Sequence, residues 1–144
     1  MKVEVALILA SHGDFAKEAL KSLEMIVGKQ ANSCSLSLFP GTNLLDFTEE
    51  MERAYQELDT SNGAVIICDI YGGTPSNAAT AMLLTHKSEK ILAYSGLNLS
   101  VLLELSANRK KEQIELKRII EEAAKYNWAE LKMNKEKPTI EGGL

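Results

Sequence analysis

His12 and Asp69 are the residues through which this sequence could do chemistry. The first lies in Ser11-His12-Gly13, the second in Asp69-Ile70-Tyr71-Gly72-Gly73-Thr74-Pro75. An imidazole with one ring nitrogen hydrogen-bonded to a carboxylate is held in one neutral tautomer. Its other nitrogen then keeps a lone pair that can attack phosphorus. Gly72, Gly73 and Thr74 open a helix-like segment, where glycines let backbone N–H groups approach an anion and the helix dipole favours negative charge. Together these residues suit a histidine that takes up a phosphoryl group and passes it on.

Each feature also has a plainer reading. A lone histidine at a strand end is more often a polar surface residue than a reactive one. Here Gly13 keeps the neighbouring backbone open to a large partner, and a helix starting near Asp14 directs N–H groups towards an anion. Asp69 ends an apolar run and must be paired, solvated or capping. A cap of the glycine turn and a hydrogen bond to His12 are equally open from sequence. His86 falls at a helix C-terminus, where a cation is favoured, and reads as structural. The chain lacks GxxxxGK[ST], GxGxxG and GxSxG, which argues against nucleotide binding and a serine hydrolase. With two histidines and no Cys/His cluster, no metal site and no cofactor is expected.

The elements that must position these residues alternate. Val3–Ala10, Ser33–Phe39, Ala64–Cys68 and Lys90–Tyr94 read as strands, the first (broken only by Glu4) and third as apolar runs suited to burial on both faces. Helical spacing follows each of them. Asp14 can cap a helix with Ala16, Ala19, Leu20, Leu23, Ile26 and Val27 on one face, stopped by Gly28. After the Pro40-Gly41 turn, Thr42 or Asn43 can cap a second, with Leu44, Phe47, Met51, Ala54, Tyr55 and Leu58 as its stripe. Pro75 suits the first position of a third, lined by Ala78, Ala79, Met82 and Leu83. Asn98–Leu105 and Glu112–Leu131 complete the helices. This order predicts an α/β fold: an open, doubly wound, mostly parallel sheet of four strands with helices on both faces. In such a sheet ligands bind beyond the carboxyl ends of the strands where strand order reverses, so His12 and Asp69 could share one crevice.

At 144 residues the chain suits one domain, expected over 1–132, with 133–144 as a polar tail or linker remnant. A net charge of −4 argues against nucleic acid as a partner. No apolar run approaches the ~20 residues that cross a bilayer, and the N-terminus does not resemble a signal peptide. Cys34 and Cys68 read as small hydrophobes, reduced in the cytoplasm.

Four blocks in this order carry a resemblance: Ser11-His12-Gly13 with Phe15-Ala16, Pro40-Gly41, Asp69 to Ala79, and Gly96-Leu97-Asn98-Leu99 with Leu102-Leu103-Glu104. Over about residues 1–130 the chain resembles the IIA component of mannose-type sugar phosphotransferase systems (PTS). The resemblance implies that His12 is phosphorylated and Asp69 orients it, with Gly13 and the Gly72, Gly73, Thr74 backbone lining the phosphoryl pocket. It also implies the phosphocarrier protein HPr as donor and a IIB component as acceptor, with the membrane IIC/IID proteins served indirectly. A homodimer is implied as well, in which a segment after Gly96 pairs antiparallel at the partner's sheet edge. Where many members carry proline after Asn-Leu, this chain has Ser100. Some members continue into a IIB domain; here the sequence given ends at Leu144, and a separate IIB polypeptide is expected. A regulatory domain of the same fold and a dihydroxyacetone-kinase phosphocarrier subunit remain alternatives.

Overall fold

In the computed structural model, which describes residues 2–133, strands and helices alternate along the chain. They are β1 (Ala6–His12), α1 (Phe15–Val27), β2 (Ser33–Leu38), α2 (Leu44–Glu57), β3 (Ala64–Cys68), α3 (Thr74–Thr85), β4 (Ile91–Ser95), α4 (Leu99–Ser106) and α5 (Gln113–Lys125). The strands form one parallel sheet in the order β2-β1-β3-β4. This is the α/β class read from the sequence. Strand order reverses between β1 and β3, and these are the strands that end at His12 and run into Asp69.

Period-two alternation along β1 and β3 splits the core into two layers. Leu7, Leu9, Val65 and Ile67 face α1, α4 and α5, packing with Leu23, Leu102, Leu105 and Leu116. Ala6, Ile8, Ala10, Ile66 and Cys68 face α2 and α3, against Phe47, Met51, Tyr55, Ala78 and Met82. All of β1 but His12 is buried, as is all of β3. Each buried Leu or Ile contributes about 1.5–3 kcal/mol. The small residues Ala6, Ala10, Ala78 and Ala79 let α3 sit close to the sheet.

Several boundaries differ from the sequence reading. β1 begins at Ala6 rather than Val3 because its partner β3 begins at Ala64, the residue opposite Ala6. The Val5 amide donates instead to the Arg109 carbonyl at 2.8 Å. α5 stops at Lys125, not Leu131, because the sequence beyond Ala123 meets no core: Trp128 and Leu131 are each 95% exposed. Pro75 is the second residue of α3 rather than the first, still within the turn whose amides lack intrahelical partners. Asn43, not Thr42, caps α2 by accepting the Asp46 amide at 2.8 Å. Asp14 stands at the cap position of α1, but its side chain makes no capping bond. The segment after Gly96 enters α4 directly, and no fifth strand is present among the described residues. The expected tail lies outside the described residues apart from Met133.

Arg109 was not singled out by sequence, yet it is fully buried at the opposite end of the sheet from His12. Its guanidinium donates to the carbonyls of Val5 (2.7 Å) and Asn32 (2.8 Å) and to Gln30 Oε1 (3.2 Å), with Glu4 at 3.7 Å. It ties the amino ends of β1 and β2 to the loop before α5. Arg109 heads an Arg-Lys-Lys run, a pattern that reads as solvated charge and gives no signal of burial.

Candidate active site

His12 is the last residue of β1, and alternation turns it to the α3 side of the sheet. There the β3–α3 turn crosses its ring. An ideal Cβ on Gly73 would lie 2.8 Å from His12 Cε1 and 3.3 Å from Nε2. The imidazole therefore rests on the Gly73 backbone at the N-terminus of α3, and the absent side chain is what admits it. Gly72 takes a left-handed φ of 86° to bring the chain round. Ser76 Oγ donates to the Ile70 carbonyl at 2.6 Å and closes the turn.

Asp69 leaves β3 with its amide donating to Ala10 in β1 at 3.1 Å, which sets it beside His12. A single carboxylate oxygen, Oδ2, accepts two hydrogen bonds from that residue: from the backbone N–H at 2.9 Å and from ring Nδ1 at 2.8 Å. Such a pairing places the proton on Nδ1 and the free lone pair on Nε2. The Asp69 side chain is 7% exposed and that of His12 is 48% exposed, so the pair is anchored inside and open outside. Burial alone would raise the Asp69 pKa. The hydrogen bonds from His12, with the Ile70 backbone and the His12 charge acting in the same direction, outweigh it and hold the carboxyl below its usual value. Oδ1 is buried and meets no hydrogen-bond donor among the described residues.

The structure thus brings together His12, Asp69 and Gly73, with Thr74 opening α3 beside them. Gly13, at φ 54°, makes the β1–α1 turn, its amide donating to the Leu38 carbonyl at 2.7 Å. His86 stands apart from them. It caps the C-terminus of α3, bonds through Nε2 to Glu52 Oε1 at 2.8 Å and packs against Tyr55 with ring centroids 4.6 Å apart and planes tilted by 38°. That is the structural role read from its position. No group of three or more His, Cys, Asp or Glu side chains suited to a metal ion occurs among the described residues. Both cysteines are free.

Apolar side chains stand exposed at the end of the sheet that carries His12, each just past the carboxyl end of a strand: Phe15 after β1, Phe39 after β2, Ile70 and Tyr71 after β3. Tyr71 is 91% exposed. Sequence patterns count such residues as breaks between elements. Their shared place at one sheet edge emerges only from the topology.

Known proteins resemble the chain in sequence and in fold. The profile of the family described as "PTS system fructose IIA component" matches residues 6–123. The mannose-specific EIIAB component of the PTS of Escherichia coli K12 is 31% identical over 100 residues, covering 69% of this chain but only 30% of that protein. The fructose-specific EIIA component of Bacillus subtilis 168 is 28% identical over 116 residues, covering 81% of this chain and 77% of that protein. Among solved structures, the mannose/sorbose-specific IIA subunit of Enterococcus faecalis superposes with a TM-score of 0.82 at 25% identity, over 94% of this chain and all of that one. The PTS IIA protein associated with the fucose utilization operon of Streptococcus pneumoniae gives 0.77 at 29% identity, covering 89% and 94%. With a shared profile across most of its length and a common fold, this chain belongs to the mannose-type family of PTS IIA components.

Proposed function

We propose that this IIA component relays phosphoryl groups through His12. The observation that carries the reading is the pairing of Nδ1 with a buried carboxylate while about half of the His12 side chain stays open to solvent. The Nε2 lone pair attacks the phosphorus of phospho-HPr, a P–N bond forms, and the donor's P–N bond breaks with its electron pair returning to the HPr imidazole. The His12 ring becomes a phosphoimidazolium that keeps its Nδ1 proton, stabilised by the Asp69 charge. Attack by a nucleophile on the IIB component reverses the polarity: the His12 P–N bond breaks and the ring returns to neutral. Little covalent machinery is needed, because such transfer is mostly positioning and electrostatic stabilisation. Gly13, Gly72, Gly73 and Thr74 line the phosphoryl pocket, the two glycines of the β3–α3 turn leaving its backbone open to the anion.

The apolar rim of Phe15, Phe39, Ile70 and Tyr71 supports protein partners over small molecules, since exposed apolar patches mark docking surfaces. The partners are HPr and a IIB component, the sugar being phosphorylated on entry through membrane IIC/IID proteins. No helix among the described residues is long and apolar enough to cross a membrane. We place the relay in the cytoplasm, on one IIA domain spanning 1–132. A homodimer forms at the β4 edge, where a groove of about 330 Å³ lies between β4 and α3, lined by Ala79, Leu83, Ala93 and Tyr94 among others.

The deciding experiment mixes the protein with phospho-HPr in the absence of ATP. Intact mass should rise by one phosphoryl group, held at His12 as an acid-labile, alkali-stable phosphoramidate. His12→Ala should fold and gain nothing. An adduct on His86, or none at all, would overturn the relay. A phosphorylated protein unable to pass its group to any IIB protein would make the domain regulatory.

A further inference from the structure

Ser11 is fully buried, the only uncharged polar residue so placed among those described. Alternation along β1 turns it to the α1 face, opposite the side taken by His12. Its Oγ accepts the Ala16 amide at 2.7 Å and donates to the Gly13 carbonyl at 3.1 Å. Ala16 is the second residue of α1, so Ser11 satisfies an amide that a cap side chain would normally take. Asp14, at the cap position, is engaged elsewhere: its Oδ1 accepts from Ser37 Oγ at 3.0 Å. The cap of α1 therefore comes from the strand before it, and closes a loop that contains His12 and Gly13.

From this we infer that Ser11 is a positioning residue for His12, a role that rests on His12 being the phosphoryl acceptor. Both bonds from His12 end on one oxygen of Asp69, at 2.9 Å from the backbone and 2.8 Å from the ring. The two stay made together only while the β1–α1 backbone keeps one conformation. At that point Gly13 has a left-handed φ of 54° and no Cβ to restrict it, so the turn is set by its hydrogen bonds. The Ser11 hydroxyl clamps the turn on the α1 side while Gly13 donates to Leu38 at 2.7 Å on the β2 side. Without the hydroxyl the helix and strand can part by fractions of an ångström. The ring then loses its aim, although nothing touching phosphorus has changed.

The test compares Ser11→Ala and Ser11→Thr in the full chain with wild type. It follows acceptance from phospho-HPr and the nitrogen and proton NMR signals of the His12 ring in the free protein. Ser11→Ala should lower kcat roughly ten- to a hundredfold, the scale of small misplacements, with KM for phospho-HPr unchanged. The Nδ1 proton should exchange faster. Ser11→Thr, which restores a hydroxyl, should recover both. Wild-type kcat and ring signals in a Ser11→Ala protein that merely melts lower would make the hydroxyl an ordinary cap and overturn the inference. Should Ser11→Ala fail to fold, Ser11→Cys keeps the volume with a weak acceptor and carries the same two readouts. A wild-type protein that accepts no phosphate would sink the relay itself, while the ring signals would still decide what Ser11 does.

Discussion

Two donors from His12 meet one oxygen of Asp69, and that arrangement separates what its charge does from what its hydrogen bonds do. In Asp69→Asn, the amide carbonyl can take the place of Oδ2 and keep both bonds, with the NH2 group falling at the partnerless Oδ1 site. The tautomer then survives but the charge opposite the phosphoimidazolium is gone. Rapid-quench transfer from phospho-HPr should slow about 10²-fold, the lower end for removing an acid–base partner, with the melting profile still cooperative. An unchanged rate would reduce Asp69 to a loop carboxylate. That His12 and Asp69 stand at strand ends was legible, because each ends an apolar run followed by a glycine turn, whereas the choice for Asp69 between a cap and a bond to His12 was settled only by the geometry. Ser11 was visible as part of a motif, but its function was not: nothing in the order Ser-His-Gly says that the hydroxyl would reach five residues ahead to Ala16.

At the scale of elements, α3 is placed by what Gly73 lacks. Gly73→Ala keeps an allowed backbone, since its φ is −86°, but sets a methyl 2.8 Å from His12 Cε1. The ring must turn away from Asp69, and phosphorylation of His12 should fall at least tenfold on the scale of small misplacements, while circular dichroism stays that of wild type. The far end of the same helix is pinned by His86 to Glu52 of α2. Burial would raise the Glu52 pKa, but hydrogen bonds from Gln56 and His86, with the His86 charge, bring it below the ordinary 4.5. A carboxyl depressed on folding stabilises the native state above its unfolded value. That contribution is lost as pH falls through the lower folded one. Denaturant titrations should therefore show stability dropping below about pH 4.5, with a shallower drop in Glu52→Gln; identical acid limbs would remove the pin from the account. Element order and helix stripes were readable from periodicity. The ends were not, because β1 starts where its neighbour does and α5 ends where the core does.

The whole sheet carries the His12–Asp69 pair at one end and Arg109 at the other, and β4 is an edge strand with no further strand paired to it among the described residues. Proteins seldom leave such an edge bare. Sedimentation equilibrium should give twice the 15.8 kDa chain mass, and a clean monomer at micromolar concentration would refute the dimer. The doubly wound class followed from the strand–helix alternation, whereas the β2-β1-β3-β4 order that makes β1 and β3 neighbours depends on packing across the sheet. The way His12 is held has a kinetic corollary. With Nδ1 on Asp69 and the ring lying on Gly73, about half of the His12 side chain is left to solvent, at the carboxyl end of the sheet. A donor and a recipient of the proposed relay would reach Nε2 over that exposed face in turn. On the proposed relay no ternary complex should form: double-reciprocal plots should be parallel, and an excess of unphosphorylated IIB should compete with phospho-HPr. The relay would behave as a turnstile, its throughput capped by how fast the first visitor departs.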